Sequence, residues 1–434
     1  EYNNNVWLFC AVLLAVFAVS AGGRYQQFET WKETPQAYFV GERPMMTTLD
    51  APYFLRKARE FNEGQTKVLR GYPEGTNVYL ESGIPMEFRD DLDDSFAKTG
   101  GIASTSPTPR YRNVPLLSFL IAHLAPFFNY NYYLAGTLLV PVLASLFFLP
   151  LGVYFFRIGV PVSGLLGGLI GTFAGGYYMR SSIGRIDTDM LNLFFPALAG
   201  LLILLAGKAK TERGILLYAL LAGLSLFLFQ WWYSKVGFTL AYFMVLVFSL
   251  FVQQIRFRTI LVGAFLFVLC AQPVTLMNGT NAVQGFLKGY FSIEDVRIAV
   301  IDDGTTPAIF PNTMTTISEV DHVPMNEVLQ RVLSNKTLGW VGFVGFFGLA
   351  IFKWRVLLPL VPMLALGLMS FQSSNRFIMY LAPFIGIGLG WLLQLGIEWV
   401  FLLIKKNIDH RGVEDQKVKG GKLKAKVSLW SSFY

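Results

Sequence analysis

The sequence predicts an all-α polytopic membrane protein with about ten transmembrane helices and two long non-cytoplasmic loops. Three observations predict it. First, 53% of the 434 residues are hydrophobic and only 15% are charged, with a mean hydropathy of +0.47; a soluble domain carries about 25% charged residues. Second, apolar runs close to the roughly 20 residues that cross a bilayer recur along most of the chain. Third, the basic residues of the short connections alternate between dense and sparse, as loops on the two faces of a membrane do.

Spans are expected at about 6–23, 134–156, 160–178, 190–207, 214–232, 236–253, 257–275, 337–352, 355–371 and 377–404. The run Val6 to Ala21 has the length of a signal-peptide core, but no cleavage site is evident and it is read as the first span. The stretch 114–128 contains His123 and Pro126; at about 15 residues it is short for a span and is read as interfacial or re-entrant. With it set aside, one set of short connections holds Arg157, Lys208, Lys210, Arg213, Arg256, Arg258, Lys353, Arg355, Lys405 and Lys406. The other holds only Arg180, Arg185, Lys235 and Arg376. The positive-inside rule places the first set in the cytoplasm. Residues 24–133 and 276–336 then become external loops of a transmembrane catalytic domain covering 1–404, and 405–434 becomes a basic, lipid-facing cytoplasmic tail.

The net charge of +8 follows from these cytoplasmic loops and tail, so no nucleic-acid partner is implied. Cys10 and Cys270 lie in apolar runs and make no disulfide framework, and His123, His322 and His410 are too scattered for a histidine metal site. Gly164 to Gly176 reads GLLGGLIGTFAGG. Small residues at this spacing allow helices to pack closely in lipid; no lysine follows, so a phosphate loop is not implied.

Ionisable residues gather on the non-cytoplasmic side. Asp50 lies in TTLDAPYF of the first long loop, and Arg180, Asp187 and Asp189 lie in the short connection MRSSIGRIDTDML. Glu319 lies in TTISEVD of the second long loop, and Arg376 opens the last span in SSNRF. Each has a plain alternative: a solvated turn for Asp50, capping of the following helix for Asp187 and Asp189, a loop acid for Glu319, a snorkelling anchor for Arg376. An Asp-x-Asp wedged between two spans with two arginines nearby is nevertheless a costly charge density at membrane level, and such charges mark a site. Carboxylates from distant segments suit Mg2+ or Mn2+, and arginine suits phosphate oxygens.

The ordered strings DAPYF, RSSIGRIDTDMLN, WWY at Trp231 to Tyr233, TISE and SSNRF resemble the catalytic subunit of oligosaccharyltransferases, in particular the bacterial single-subunit type, over about 40–404. The resemblance implies transfer of an oligosaccharide, with inversion, from a polyprenyl diphosphate carrier to the asparagine of an Asn-x-Ser/Thr acceptor polypeptide. It implies Asp50 and Glu319 as carboxylates that bond the acceptor amide, whose nitrogen is a poor nucleophile because its lone pair is delocalised. It implies Asp50, Asp187 and Glu319 as ligands of Mn2+ or Mg2+, with Asp189 as the second aspartate of that motif, and Arg180, Tyr233 and Arg376 beside the lipid diphosphate. It implies a bacterial inner-membrane protein whose active site faces the periplasm. The chain departs from the family in lacking one pair of spans before TISE, and a final span and soluble carboxyl-terminal domain with a Trp-Trp-Asp motif are expected to be missing. Trp231 and Trp232 sit at a span end, where aromatic belts are expected. The alternatives are another polyprenyl-phosphosugar glycosyltransferase, or a transporter using the outer acids as a cation site. A transporter should carry mid-span charges and often paired repeats; here the mid-span regions are almost free of charge and no 20–50-residue repeat is present.

Overall fold

The computed structural model describes residues 2–63, 114–233, 236–273, 279, 284, 296–299, 308–311, 323–371 and 375–417. Glu319 and the TISE string lie outside them. The described chain is mostly helical. Six of its helices are long and apolar enough to cross a membrane: Val6–Glu33, Tyr132–Arg157, Thr188–Lys208, Glu212–Trp232, Lys336–Met369 and Ile378–Ile404. Leu116–Phe128, Pro161–Phe173, Gly237–Val252 and Phe257–Cys270 are apolar but shorter. Within the 114–128 stretch, the helix Leu116–Leu124 is followed by a 3-10 turn, Ala125–Phe128.

Helix α1 (Tyr2–Glu33) continues well past the expected edge at residue 23. Its buried positions Phe9, Leu13, Ser20, Arg24 and Phe28 follow helical spacing, so one stripe faces the bundle along its whole length. After it come α2 (Pro35–Tyr38), the two-residue strands β1 (Phe39–Val40) and β2 (Arg43–Pro44), and α3 (Ala51–Asn62). Amphipathic α3 sets Ala51, Phe54, Leu55 and Ala58 into the core beside α4 (Leu116–Leu124). Next are α5 (Tyr132–Ser145), capped by the Asn131 side chain on the Leu134 N–H, and α6 (Phe148–Arg157).

Helix α7 (Pro161–Phe173) starts on a proline and ends where Ala174 turns extended (φ −57°, ψ 131°), which limits it to 13 residues. Short α8 (Gly175–Tyr178) and a 3-10 turn, Met179–Ser181, lead into the DTD connection. A second 3-10 turn, Thr188–Leu191, opens α9 (Phe194–Lys208). The bundle continues with α10 (Glu212–Trp232), α11 (Val236–Val252) and α12 (Phe257–Cys270). Two antiparallel strands, β3 (Val296–Ala299) and β4 (Ala308–Pro311), fall in the second long connection. Then come α13 (Met325–Leu333), α14 (Lys336–Leu357), α15 (Val361–Met369) and α16 (Ile378–Lys417). Helix α14 is broken at Lys353 (φ −122°, ψ 26°), close to the expected junction between two spans. Helix α16 extends beyond the expected edge at 404 and into the basic tail.

Glycines bring α7, α14 and α16 together at backbone distance. A Cβ on Gly386 would lie 2.6 Å from the Leu166 carbonyl, and one on Gly390 2.6 Å from the Ser163 Cα. A Cβ on Gly388 would run into the Gly342 carbonyl. The GLLGGLIGTFAGG stretch therefore does what small residues do between membrane helices. Around this contact the main core gathers large side chains such as Phe147, Tyr154, Phe155, Phe229, Tyr242 and Phe384.

Candidate active site

The connection between α7 and α9 carries the motif. Asp187 caps the 3-10 turn, its Oδ1 accepting the Thr188 N–H at 2.6 Å, while Oδ2 lies 4.0 Å from Arg185 Nη2. It is 6% exposed. Burial pushes its carboxyl up from the usual range, and the neighbouring charges of Asp189 and Asp50 push the same way; the Thr188 bond and Arg185 pull against them. The capping role is thus real, but it leaves Asp187 in a field of like charge that capping alone does not relieve.

Asp50 stands exposed at the head of α3. The fold brings it to Asp187 through a backbone splice: Thr47 N–H donates to the Gly184 carbonyl at 3.0 Å, and Thr47 Oγ1 to that of Ile183 at 3.4 Å. Gly184 has φ +77°, and a Cβ there would lie 2.6 Å from the Trp31 ring and 2.7 Å from the Met45 carbonyl. Only glycine fits such a position without strain.

Asp189 is fully buried and both its oxygens are engaged. Oδ2 accepts Arg180 Nη1 at 2.9 Å; Oδ1 accepts Arg376 Nη2 at 3.0 Å and Asn192 Nδ2 at 2.9 Å. The sequence groups Asp189 with the metal-type carboxylates; the fold makes it the counter-ion of the two arginines. Arg180 and Arg376, expected near a diphosphate, do converge, and their side chains are 13% and 33% exposed. The triad carries a net charge of +1, which favours an anion at its exposed edge. Tyr233 ends α10 in extended conformation, and it lies with Asp189 and Arg376 within electrostatic reach of Tyr380.

Sequence reasoning missed the residues that hold the motif from behind. Trp232 is buried and its indole N–H donates to the Thr188 carbonyl at 2.6 Å, while Trp231 Nε1 donates to that of Val114 at 2.8 Å. The tryptophan pair expected in an aromatic belt is instead bonded into the protein. Tyr177 Oη lies 2.7 and 2.9 Å from the Met190 and Ala144 carbonyl oxygens, which share its single proton. From α1, Gln27 Oε1 accepts the Ile183 N–H at 3.2 Å, and Arg24, placed by sequence at the start of a loop, lies buried inside the helix.

Asp50 and Asp187 offer hard oxygen donors of the kind that divalent cations take, and the charge of Asp50 reaches Asp187. The chemistry of this donor pair is compatible with a hard divalent cation. Among the described residues no three His, Cys, Asp or Glu side chains gather into a metal site; the expected third ligand, Glu319, lies outside them.

Residues 112–406 match the family described as oligosaccharyl transferase STT3, N-terminal, which is about two thirds of the chain. The undecaprenyl-diphosphooligosaccharide–protein glycotransferases of two Campylobacter jejuni strains are 22% identical over 286 residues, 57% of this chain and 38% of theirs. The chain thus spans well under half the length of those relatives. The archaeal oligosaccharyltransferase AglB from Archaeoglobus fulgidus, in complex with an inhibitory peptide and a dolichol-phosphate, superposes with a TM-score of 0.55 at 14% identity, over 98% of this chain and 53% of that one. The apo form of the A. fulgidus enzyme gives 0.54 at 15% identity, over 98% and 54%. Buried stripes on apolar helices, the DTD connection and its arginine partners, and the family match together make the chain a multi-pass integral membrane protein of the oligosaccharyl transferase STT3 family.

Proposed function

We propose that this chain forms the membrane part of an enzyme that transfers an oligosaccharide from a lipid diphosphate donor to the asparagine of Asn-x-Ser/Thr sequons. The observation that carries this reading is the convergence of Asp187 and Asp50 beside the Arg180–Asp189–Arg376 triad, in a family whose named members act on an undecaprenyl-diphosphooligosaccharide. The A. fulgidus structure of the same fold holds a dolichol-phosphate and an inhibitory peptide, a polyprenyl phosphate and a polypeptide like the carrier and acceptor of this reading.

In this reading Arg180 and Arg376 hold the donor's diphosphate, oriented by Asp189, and Tyr233 borders it. Asp50 and Glu319 accept hydrogen bonds from the acceptor amide, loosening its conjugation so that nitrogen can attack sugar C1. The bond from C1 to the diphosphate breaks on the opposite face, the electron pair leaves on a diphosphate already facing guanidinium charge, and the proton lost from nitrogen passes to one of the two carboxylates. Asp50, Asp187 and Glu319 would hold Mn2+ or Mg2+, which supplies positive charge for the leaving group when bound. For topology, Lys336–Met369 counts as two spans broken at Lys353, and α7, α11 and α12 each count as one. That gives ten, with the site on the periplasmic side of a bacterial inner membrane and the tail in the cytoplasm.

Glycosylation of a fluorescent sequon peptide by the full-length protein tests this. Asp187→Asn and Glu319→Gln each should lower the rate by about 10²–10³, and EDTA should stop transfer until Mn2+ is returned. Arg376→Ala should raise the donor KM and spare peptide binding, with Arg376→Lys rescuing only in part because it lacks the bidentate fork. Wild-type transfer by Asp187→Asn would sink the reading.

A further inference from the structure

Arg24 is the most deeply buried basic group among the described residues, with no exposed surface at all. It sits in the membrane-spanning helix α1, where an ionisable residue is costly and needs a reason. No carboxylate pairs with it among the described residues. Its donors go instead to neutral oxygens. Nε donates to the Ser181 carbonyl at 2.9 Å and Nη2 to Ser181 Oγ at 2.8 Å. Nη2 also donates to the Thr172 carbonyl at 3.0 Å and Nη1 to Thr172 Oγ1 at 2.8 Å. Nη1 further reaches Ser20 Oγ at 3.2 Å and the Ser20 carbonyl at 3.3 Å. The Tyr177 and Tyr178 rings flank the guanidinium, with centroids at 5.6 and 5.1 Å.

A guanidinium has five N–H donors, and these acceptors occupy all of them, so Arg24 has nothing left with which to bind a ligand. What it does instead is join three pieces of chain: α1 at Ser20, the end of α7 at Thr172, and the turn at Ser181. Ser181 directly follows Arg180, which grips Asp189. Two further α1 contacts lie one and two turns beyond: Gln27 on the Ile183 N–H, and Trp31 against Gly184. Helix α1 is thus a rail along which the 181–184 backbone is pinned, and Arg24 is its first and strongest pin.

We propose that Arg24 is a positioning residue for the donor site: from inside the first helix it fixes the turn that presents Arg180, and so sets recognition of the lipid diphosphate. This rests on the donor reading above. An arginine is needed because one planar group must reach acceptors on both α7 and the turn; lysine has three donors on one point and cannot span them.

The experiment uses the full-length protein in nanodiscs. Arg24→Gln should speed amide exchange in 179–187 while leaving the cytoplasmic end near 205–213 unchanged. Donor kcat/KM should fall by up to about 10²-fold, the cost of misplacing a binding group by about an ångström, with the loss in donor KM and sequon-peptide affinity kept. Arg24→Lys should recover part of it. Wild-type exchange together with wild-type donor KM would overturn the proposal. If Arg24→Gln does not fold, Ser181→Ala and Thr172→Val decide. A mere helix staple would lower thermal stability in both and leave donor KM alone, which also overturns the proposal; a positioning role raises donor KM in Ser181→Ala. Faster exchange in 179–187 of Arg24→Gln, in a protein whose wild type transfers no glycan, would uphold the pinning and remove the donor function.

Discussion

The two ends of the bundle use charge in opposite ways. At the DTD end, Asp189 lies buried between Arg180 and Arg376, which come from opposite halves of the chain. At the other end, Lys208 Nζ donates to the Arg157 carbonyl at 2.7 Å and Lys353 Nζ to that of Ile158 at 3.2 Å, with Gln394 on Gly159 at 3.2 Å. These cations satisfy the last carbonyls of α6, the usual service of basic groups at a helix C-terminus. Helix α9 joins the two ends, and its 15 residues amount to about 22 Å of rise. One end is a specific arrangement of paired groups; the other needs only positive charge near a helix end and a membrane surface. Charge density alone therefore does not identify the working end. Partnering does.

Sidedness gives the largest contrast. In a background with Cys10 and Cys270 changed to Ser, Cys introduced at Ser182 should react with an impermeant maleimide on intact cells, and Cys at Ala209 only after the membrane is opened. The reverse labelling would exchange the two ends. Next in size is Asp189→Ala. It strands two guanidiniums, and stability should drop by about 3 kcal/mol, the low end for a broken buried pair because Arg376 is partly solvated. The thermal midpoint should fall and donor binding should be lost with it; an unchanged midpoint would mean the triad is not formed. Trp232→Phe keeps the ring and removes the indole N–H, leaving the Thr188 carbonyl buried and unpaired at a cost of about 1–2 kcal/mol, with a measurable fall in transfer rate. The smallest effect belongs to Lys208→Met. Losing one cation at a helix end costs about 0.3–1 kcal/mol, and transfer should be unaltered; a large loss of activity would show that the Lys208 end is also a working part.

Much of this was legible in the sequence because the bilayer imposes simple rules. Apolar runs located the main helices, and the break in α14 falls at Lys353, where two charges interrupt a hydrophobic run. Asp187, Asp189, Arg180 and Arg376 stood out as charges packed into short connections. What the sequence hid was pairing across the chain: nothing near Asp189 says that Arg376 rather than Arg185 is its partner. Hydropathy also mislocated Arg24, because polarity rises after residue 23 while the helical stripe Phe9, Leu13, Ser20, Arg24, Phe28 runs on. Period was the better guide there than mean polarity. Trp232 was misread because an aromatic at a span end has two explanations, and only its hydrogen bond to Thr188 separates them.

The glycine contact among α7, α14 and α16 decides which parts of the protein can move. Side chains between helices act as compliant spacers that change rotamer as one helix slips past another. Where Gly386 and Gly390 bring backbone against backbone, that compliance is missing. A one-turn slip of α16 would carry Phe384 to the place of Gly388, where a Cβ runs into the Gly342 carbonyl of α14. These three helices therefore behave as a stator. Arg376, in the turn just before α16, and the DTD turn, after α7, are mounted on it, so both halves of the ion triad share one fixed frame.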